Sequence, residues 1–148
     1  MKEKFMKIAI KESVKALKYG EIPVGAVIVY NNKVIAKGYN KKESSKNCLK
    51  HAELIAIDKA CKKIGDWRLN NCEMYVTMEP CYMCMGAIIE SRINKLYCGV
   101  KNTKSHLINK KVFEQNKIIF EYNIMSNEIE KNMEKCFLDM RNKQNKCS

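Results

Sequence analysis

Two short stretches carry most of the chemical information in this chain: His51-Ala-Glu53 and, further along, Pro80-Cys81-Tyr-Met-Cys84. One imidazole and two thiols make three good ligands for a zinc ion, and no fourth protein ligand is obvious. Three ligands and an open position distinguish a catalytic zinc from a structural one, because the vacant corner holds the water that reacts. Zinc lowers the pKa of that water toward about 7, so hydroxide is available at neutral pH. Glu53 stands beside the first ligand. It could take the proton and later deliver it to a leaving group, one carboxylate serving as base and then as acid. Such a constellation suits attack on an amidine-like carbon and the departure of ammonia.

A closed structural zinc competes with this reading. Cys48 precedes His51, so the chain also spells Cys-x-x-His followed by Cys-x-x-Cys, a legitimate four-ligand set. The stretch from His51 to Cys81 is longer than zinc-finger spacing, however, and Glu53 would be left without a purpose. A dithiol redox pair explains neither His51 nor Glu53.

The elements that must position these residues follow from periodicity. Residues 4–19 have the apolar rhythm of a helix, with Gly20 at its end. Val24 to Tyr30 is β-branched and strand-like. Asn31-Asn32 can take positive φ, and Lys33 to Lys37 returns, which predicts a hairpin. Tyr39 to Lys50 is polar and reads as a loop. His51 opens a helix running to about Ile64, and Met74 to Met78 is a third strand. Pro80 suits the first position of a further helix, to about Ser91, since its missing N–H would be unpaired there. Lys95–Val100 and Ile118–Tyr122 are strands, with a short helix near Ile108–Gln115 between them as a crossover. Ser126 can cap a last helix through about Arg141, leaving a frayed tail over 142–148.

Strands alternating with helices, with no repeat and no linker, predict one α/β domain over residues 1–148. Both ligand groups fall at predicted helix starts, where partial positive charge stabilises a thiolate. His51 and Glu53 lie about 200° apart around a helix, so they share a pocket only if that helix meets it end-on.

Composition sets looser bounds. The chain of 148 residues, 46% hydrophobic, can bury one core. No apolar run approaches the roughly 18 residues of a membrane span, and no signal-peptide core is seen, so a cytoplasmic protein without membrane partners is expected. In that reducing compartment six of the 8 cysteines (Cys48, Cys61, Cys72, Cys98, Cys136, Cys147) read as packing or surface thiols. The +12 charge would attract a polyanion. The abundance of Lys, Asn and Ile is also the mark of A/T-rich coding sequence, so the charge permits a nucleic-acid partner without requiring one.

The two metal stretches resemble the signature of zinc nucleobase deaminases. Ile22-Pro-Val-Gly-Ala26, Gly38-Tyr-Asn40, Gly65-Asp-Trp-Arg-Leu69, Tyr75-Val-Thr-Met-Glu-Pro-Cys81 and Ser91-Arg-Ile93 extend the resemblance to the bacterial tRNA adenosine deaminases over roughly residues 5–100. The resemblance implies a three-layer αβα sandwich around a five-stranded mixed sheet. It implies one Zn2+ per subunit held by His51, Cys81 and Cys84, with Glu53 as proton shuttle. It also implies that Asn40 hydrogen-bonds the purine, that the Ala52 backbone contacts the base and that Val24 lines the pocket. The substrate would be the wobble adenosine of a tRNA anticodon stem-loop, converted to inosine by a homodimer.

The match weakens after Val100. Asn102 stands where the family usually has an aspartate near the substrate backbone. A carboxylate only accepts hydrogen bonds, for example from a 2′-hydroxyl, whereas an amide also donates, so looser backbone selectivity is expected. The divergent segment keeps a second reading open, a deaminase of a free nucleobase or nucleoside (guanine, adenine or cytosine). A third is an RNA-binding protein with a structural zinc. Without the resemblance, Asn40 is a turn residue, Val24 is core, His106 is a solvated side chain and Trp67 is a packing or dimer contact. Lys131, Lys135, Arg141, Lys143 and Lys146 form a basic end that follows an RNA backbone or simply faces solvent.

Overall fold

Alternation along the central strands decides the layering. In β1 (Gly25–Tyr30) and β3 (Cys72–Met78), Ala26, Ile28, Met74 and Val76 point to one face while Val27, Val29 and Tyr75 point to the other. β4 (Lys95–Val100) repeats this, with Leu96 and Cys98 opposite Tyr97. A strand with apolar side chains on both faces must be covered on both. Each face accordingly packs into its own buried cluster.

The computed structural model describes residues 1–146, and side chains through residue 143. Its five strands lie in the order β2-β1-β3-β4-β5, with β2 spanning Lys33–Tyr39 and β5 Ile119–Glu121. β1 pairs antiparallel with β2 and with β3, whereas β3–β4 and β4–β5 are parallel, so the sheet is mixed as expected. α3 (Ala52–Ile64), α4 (Tyr82–Glu90) and α5 (His106–Gln115) supply apolar residues to the Met74 face. α1 (Lys2–Leu17) and α6 (Ser126–Lys146) supply them to the Tyr75 face. The fold is the αβα sandwich that the sequence predicts.

Local chemistry explains most of the boundaries. Asn31 and Asn32 have φ of 50° and 61°, the paired left-handed geometry of a two-residue hairpin turn. Gly65 ends α3 in the left-handed conformation, at φ 78°. Some expectations need correcting. The polar segment after Tyr39 contains a short helix, α2 (Lys42–Ser45), because the buried Glu21 carboxylate accepts from the N–H groups of Glu43 and Ser44 at 2.8 Å each. That partner lies outside the segment and leaves no local signature. Pro80 precedes the cap of α4 instead of opening the helix, since Cys81 occupies the cap position. α6 continues through Lys146, beyond the predicted fraying point; residues 147 and 148, Cys147 among them, and the side chain of Lys146 lie outside the described residues.

One close approach matters for the site. A Cβ on Gly38 in β2 would stand 2.5 Å from the Ala52 carbonyl and 3.0 Å from the Ala56 nitrogen. Glycine here lets the first turn of α3 lie against the sheet. Gly38→Ala is expected to destabilise the protein by about 1–3 kcal/mol, as overpacking does, with a lowered urea midpoint as the readout. An unchanged midpoint would show that α3 can shift at no cost.

Candidate metal centre and active site

Chain direction brings the site together. β2 and β3 are both antiparallel to β1 and so run the same way. α3 follows β2 and packs back over β2 and β1, so its N-terminus lies at the end of the sheet where β3 finishes. α4 leaves that same end. Two helix N-termini therefore meet beyond β3, and their dipoles add at one point. His51 caps α3 and Cys81 caps α4, both with extended backbone (φ −83° and −73°). The end-on geometry needed for His51 and Glu53 to share a pocket is thus met.

His51, Cys81 and Cys84 form the one cluster of three potential metal ligands found among the described residues, their donor atoms within 4.8 Å of one another. The His51 Nδ1 atom lies 3.6 Å from Cys81 Sγ and 3.5 Å from Cys84 Sγ. Bond lengths of about 2.3 Å to sulfur and 2.0–2.1 Å to nitrogen, at tetrahedral angles, require an N···S edge of about 3.6 Å. The donor set therefore fits zinc in both type and spacing. Cys48 is exposed and stands outside the group, which removes support from the closed four-ligand alternative. Cys48→Ala is expected to retain one zinc per chain by metal analysis. Loss of the metal would restore the structural-zinc reading.

The electrostatics suit a cation. The hydrogen bond with Cys84 draws the Cys81 thiol down to about 5, against the opposing effect of burial. The same bond, together with burial, pushes the Cys84 thiol well up. Both sulfurs face the His51 nitrogen, and metal binding would require both to be ionised. Glu53 is 3% exposed, and burial pushes its carboxyl up from the ordinary value. A buried carboxyl beside a metal-ligand cluster is a group able to hold a proton and give it up.

A cavity of about 150 Å3 opens on this cluster, walled by Ile22, Val24, Met78, Asn40, Glu53 and Asn102, with Ala52 and Lys42 also at its lining. It falls below the roughly 300 Å3 of the smallest drug-sized sites, so its walled part suits a single flat ring. Of the residues that the resemblance places at the site, all line it except Cys84, which is fully buried. Ala52 is the first residue of α3, so its N–H belongs to the turn that lacks helical partners and is available to a ligand. Asn40 combines both of its readings. Its Oδ1 accepts from the Lys42 N–H at 3.2 Å and its Nδ2 donates to the Ile22 carbonyl at 3.3 Å, while the amide faces the cavity.

Residues 1–100 match the model of the cytidine and deoxycytidylate deaminase zinc-binding region. The chain belongs to that deaminase family. It is 47% identical to the tRNA-specific adenosine deaminase of Bacillus subtilis (strain 168), over 69% of this chain and 63% of that protein's length. It is 41% identical to the tRNA-specific adenosine deaminase of Buchnera aphidicola subsp. Schizaphis graminum, over 93% of this chain and 94% of the relative. A solved structure from a study of A-to-I editing by tRNA:A34 deaminases superposes with a TM-score of 0.80 at 32% identity, covering 86% of this chain and 97% of that one. This deaminase is a zinc-dependent hydrolytic enzyme.

Sequence reasoning did not single out Ile22, Lys42 or Met78, which also line the cavity, nor Glu79 at its edge. Glu79 is 1% exposed, and its carboxylate is ringed by donors from beyond Val100. The signal was an acid at the end of a buried strand, directly before Pro80. His106, expected in solvent, is instead the first residue of α5, with Nδ1 3.0 Å from Glu79 Oε1. Trp67 is 50% exposed, beneath the Arg68 and Arg92 guanidiniums at 4.4 and 5.4 Å from its ring.

Proposed function

We propose that this deaminase converts the wobble adenosine of a tRNA anticodon loop to inosine, releasing ammonia. The observation that carries the chemistry is the buried Glu53 carboxyl set against a His51–Cys81–Cys84 cluster at the floor of a ring-sized cavity. The relatives' tRNA specificity supports the substrate.

His51, Cys81 and Cys84 would hold the zinc, whose contribution when bound is a Lewis acid that makes water ionisable near neutral pH. The remaining work falls to side chains. A flipped adenine enters between Val24, Ile22 and Met78, which exclude water from the ring faces. The Ala52 N–H and the Asn40 amide orient its edge. Glu53 takes a proton from the attacking water and returns it to the amino group as that group leaves. Anticodon loops suit the small cavity because their bases are already unpaired, so extrusion costs only a few kcal/mol.

The rim suits a polyanion. Exposed Lys42 lines one side of the mouth, exposed Lys50 directly precedes His51, and Lys101 and Lys104 bracket Asn102 in sequence on the other side. The enzyme acts as one domain over residues 1–148, in the cytoplasm, as a homodimer. Exposed Ile64, Trp67 and Tyr82, on or beside the helices that carry the site, leave apolar surface for a second copy. Among the described residues no helix is long and apolar enough to cross a membrane.

Inosine formed from an anticodon stem-loop, from single-stranded DNA of matching sequence and from free nucleosides tests the proposal. The stem-loop should be the best substrate, and faster turnover of a free nucleoside would overturn the tRNA reading. Asn102 lines the cavity with an amide that can donate as well as accept. The DNA strand should therefore be processed measurably, and Asn102→Asp should raise the RNA-to-DNA ratio by about fivefold or more, the worth of one added hydrogen bond to a 2′-hydroxyl. A ratio unmoved by this change would remove Asn102 from substrate selection.

A further inference from the structure

Glu79 has no solvent to satisfy it, since its side chain is 0% exposed, yet it sits at the cavity edge, directly before Pro80-Cys81. A carboxylate in that position is costly unless donors surround it. They do, and they all come from the segment after Val100. The Asn102 N–H donates to Oε1 at 3.1 Å, and His106 Nδ1 lies 3.0 Å from the same oxygen. Asn109 Nδ2 donates to Oε2 at 3.1 Å, and the Tyr122 hydroxyl donates to it at 3.0 Å. The neighbouring Pro80 carbonyl accepts from Asn109 Nδ2 at 2.8 Å and from Ser105 Oγ at 3.1 Å. Asn102 in turn accepts, through its own carbonyl, from the N–H groups of Ser105 and His106. The strand end that leads into a candidate metal-ligand turn is thereby bolted to the loop that closes the other side of the cavity.

We infer that Glu79 is a positioning residue for substrate selection: its carboxylate fixes the segment from Asn102 to Asn109 at the mouth, so that Asn102 meets the substrate backbone at a set distance from the metal site. This rests on the tRNA reading above for the identity of the backbone presented. The chemical step stays with Glu53. Glu79 does not touch the reacting atoms; it decides how tightly, and how selectively, the strand carrying them is held. Glutamine keeps the shape of Glu79 but turns one oxygen into a donor. At the Oε2 position that donor would face Asn109 Nδ2, whose other bond to the Pro80 carbonyl prevents it from turning over, and at the Oε1 position it would face the Asn102 N–H.

The test uses the zinc-loaded full chain with Glu79→Gln, and with Tyr122→Phe, which deletes a single donor and leaves the carboxylate in place. Zinc should stay at one per chain. For the stem-loop, KM should rise about tenfold in Glu79→Gln, the worth of a lost charge-assisted hydrogen bond, and by less in Tyr122→Phe. The kcat value should hold within about twofold, and the RNA-to-DNA ratio should fall. Amide hydrogen exchange at Asn102, Ser105 and His106 should quicken in both variants without substrate present. Unchanged exchange, or lost zinc and kcat at constant KM, would overturn the inference. Should the unaltered protein make no inosine from the stem-loop, the tRNA reading fails on its own, and the exchange experiment still judges the hold of Glu79 on this segment.

Discussion

Glu53→Gln should abolish inosine formation, by a factor of at least about 10²–10⁴, while zinc content, fold and stem-loop affinity stay close to those of the unaltered chain. The reasoning begins with geometry. Glu53 lies outside the His51–Cys81–Cys84 group, so its replacement takes no donor from the metal. It is 3% exposed and lines the cavity, so glutamine fills the same volume and disturbs little. What glutamine cannot do is accept a proton and return it. Because the loss is confined to proton transfer, it should appear in kcat and leave KM nearly unchanged. A protein that merely binds RNA through a structural zinc would not respond to this change. Equal inosine yield from Glu53→Gln would end the reading of Glu53 as the proton carrier.

Zinc removal is the second large effect, and its pH dependence has a definite sign. A chelator should bring activity to background, with recovery when Zn2+ is returned in stoichiometric amount. The thiols must be ionised to bind the metal. Cys81, drawn to about 5 by its hydrogen bond with Cys84, is already a thiolate above that pH. Cys84 is pushed up by that bond and by burial, and it keeps its proton through the neutral range. Binding therefore expels the Cys84 proton, and zinc affinity strengthens as pH rises. Between pH 6 and 8 the logarithm of the association constant should climb by about one per pH unit from this thiol. Competition against a chromophoric chelator measures the slope. A flat profile would mean that both sulfurs lose their protons before the metal arrives. Cys84→Ser should give the same loss of activity by removing a soft ligand, with weakened zinc retention as its companion.

Much of the site was legible because each part announces itself locally. His51, Cys81 and Cys84 are identified by ligand chemistry, and Gly65 and Asn31-Asn32 by the backbone angles they tolerate. Those features depend on near neighbours in sequence, which is the range over which periodicity and turn chemistry speak. The segment after Val100 was less legible for the opposite reason. His106 looked solvated because nothing near it in sequence is acidic; its partner Glu79 arrives from the end of β3. The short helix α2 was read as loop because its cap, Glu21, lies well upstream.

The sequence by itself determined which atoms could bind a metal, which carboxylate could move a proton, and that both ligand stretches stand at helix starts. Tertiary structure alone decided that the two starts face one point. That follows from α3 starting at the end of the sheet from which α4 departs, with Gly38 allowing the close approach. It also decided what surrounds Glu79. A buried carboxylate is satisfied by whatever the packed chain brings within hydrogen-bond reach, and no local pattern encodes partners that far apart.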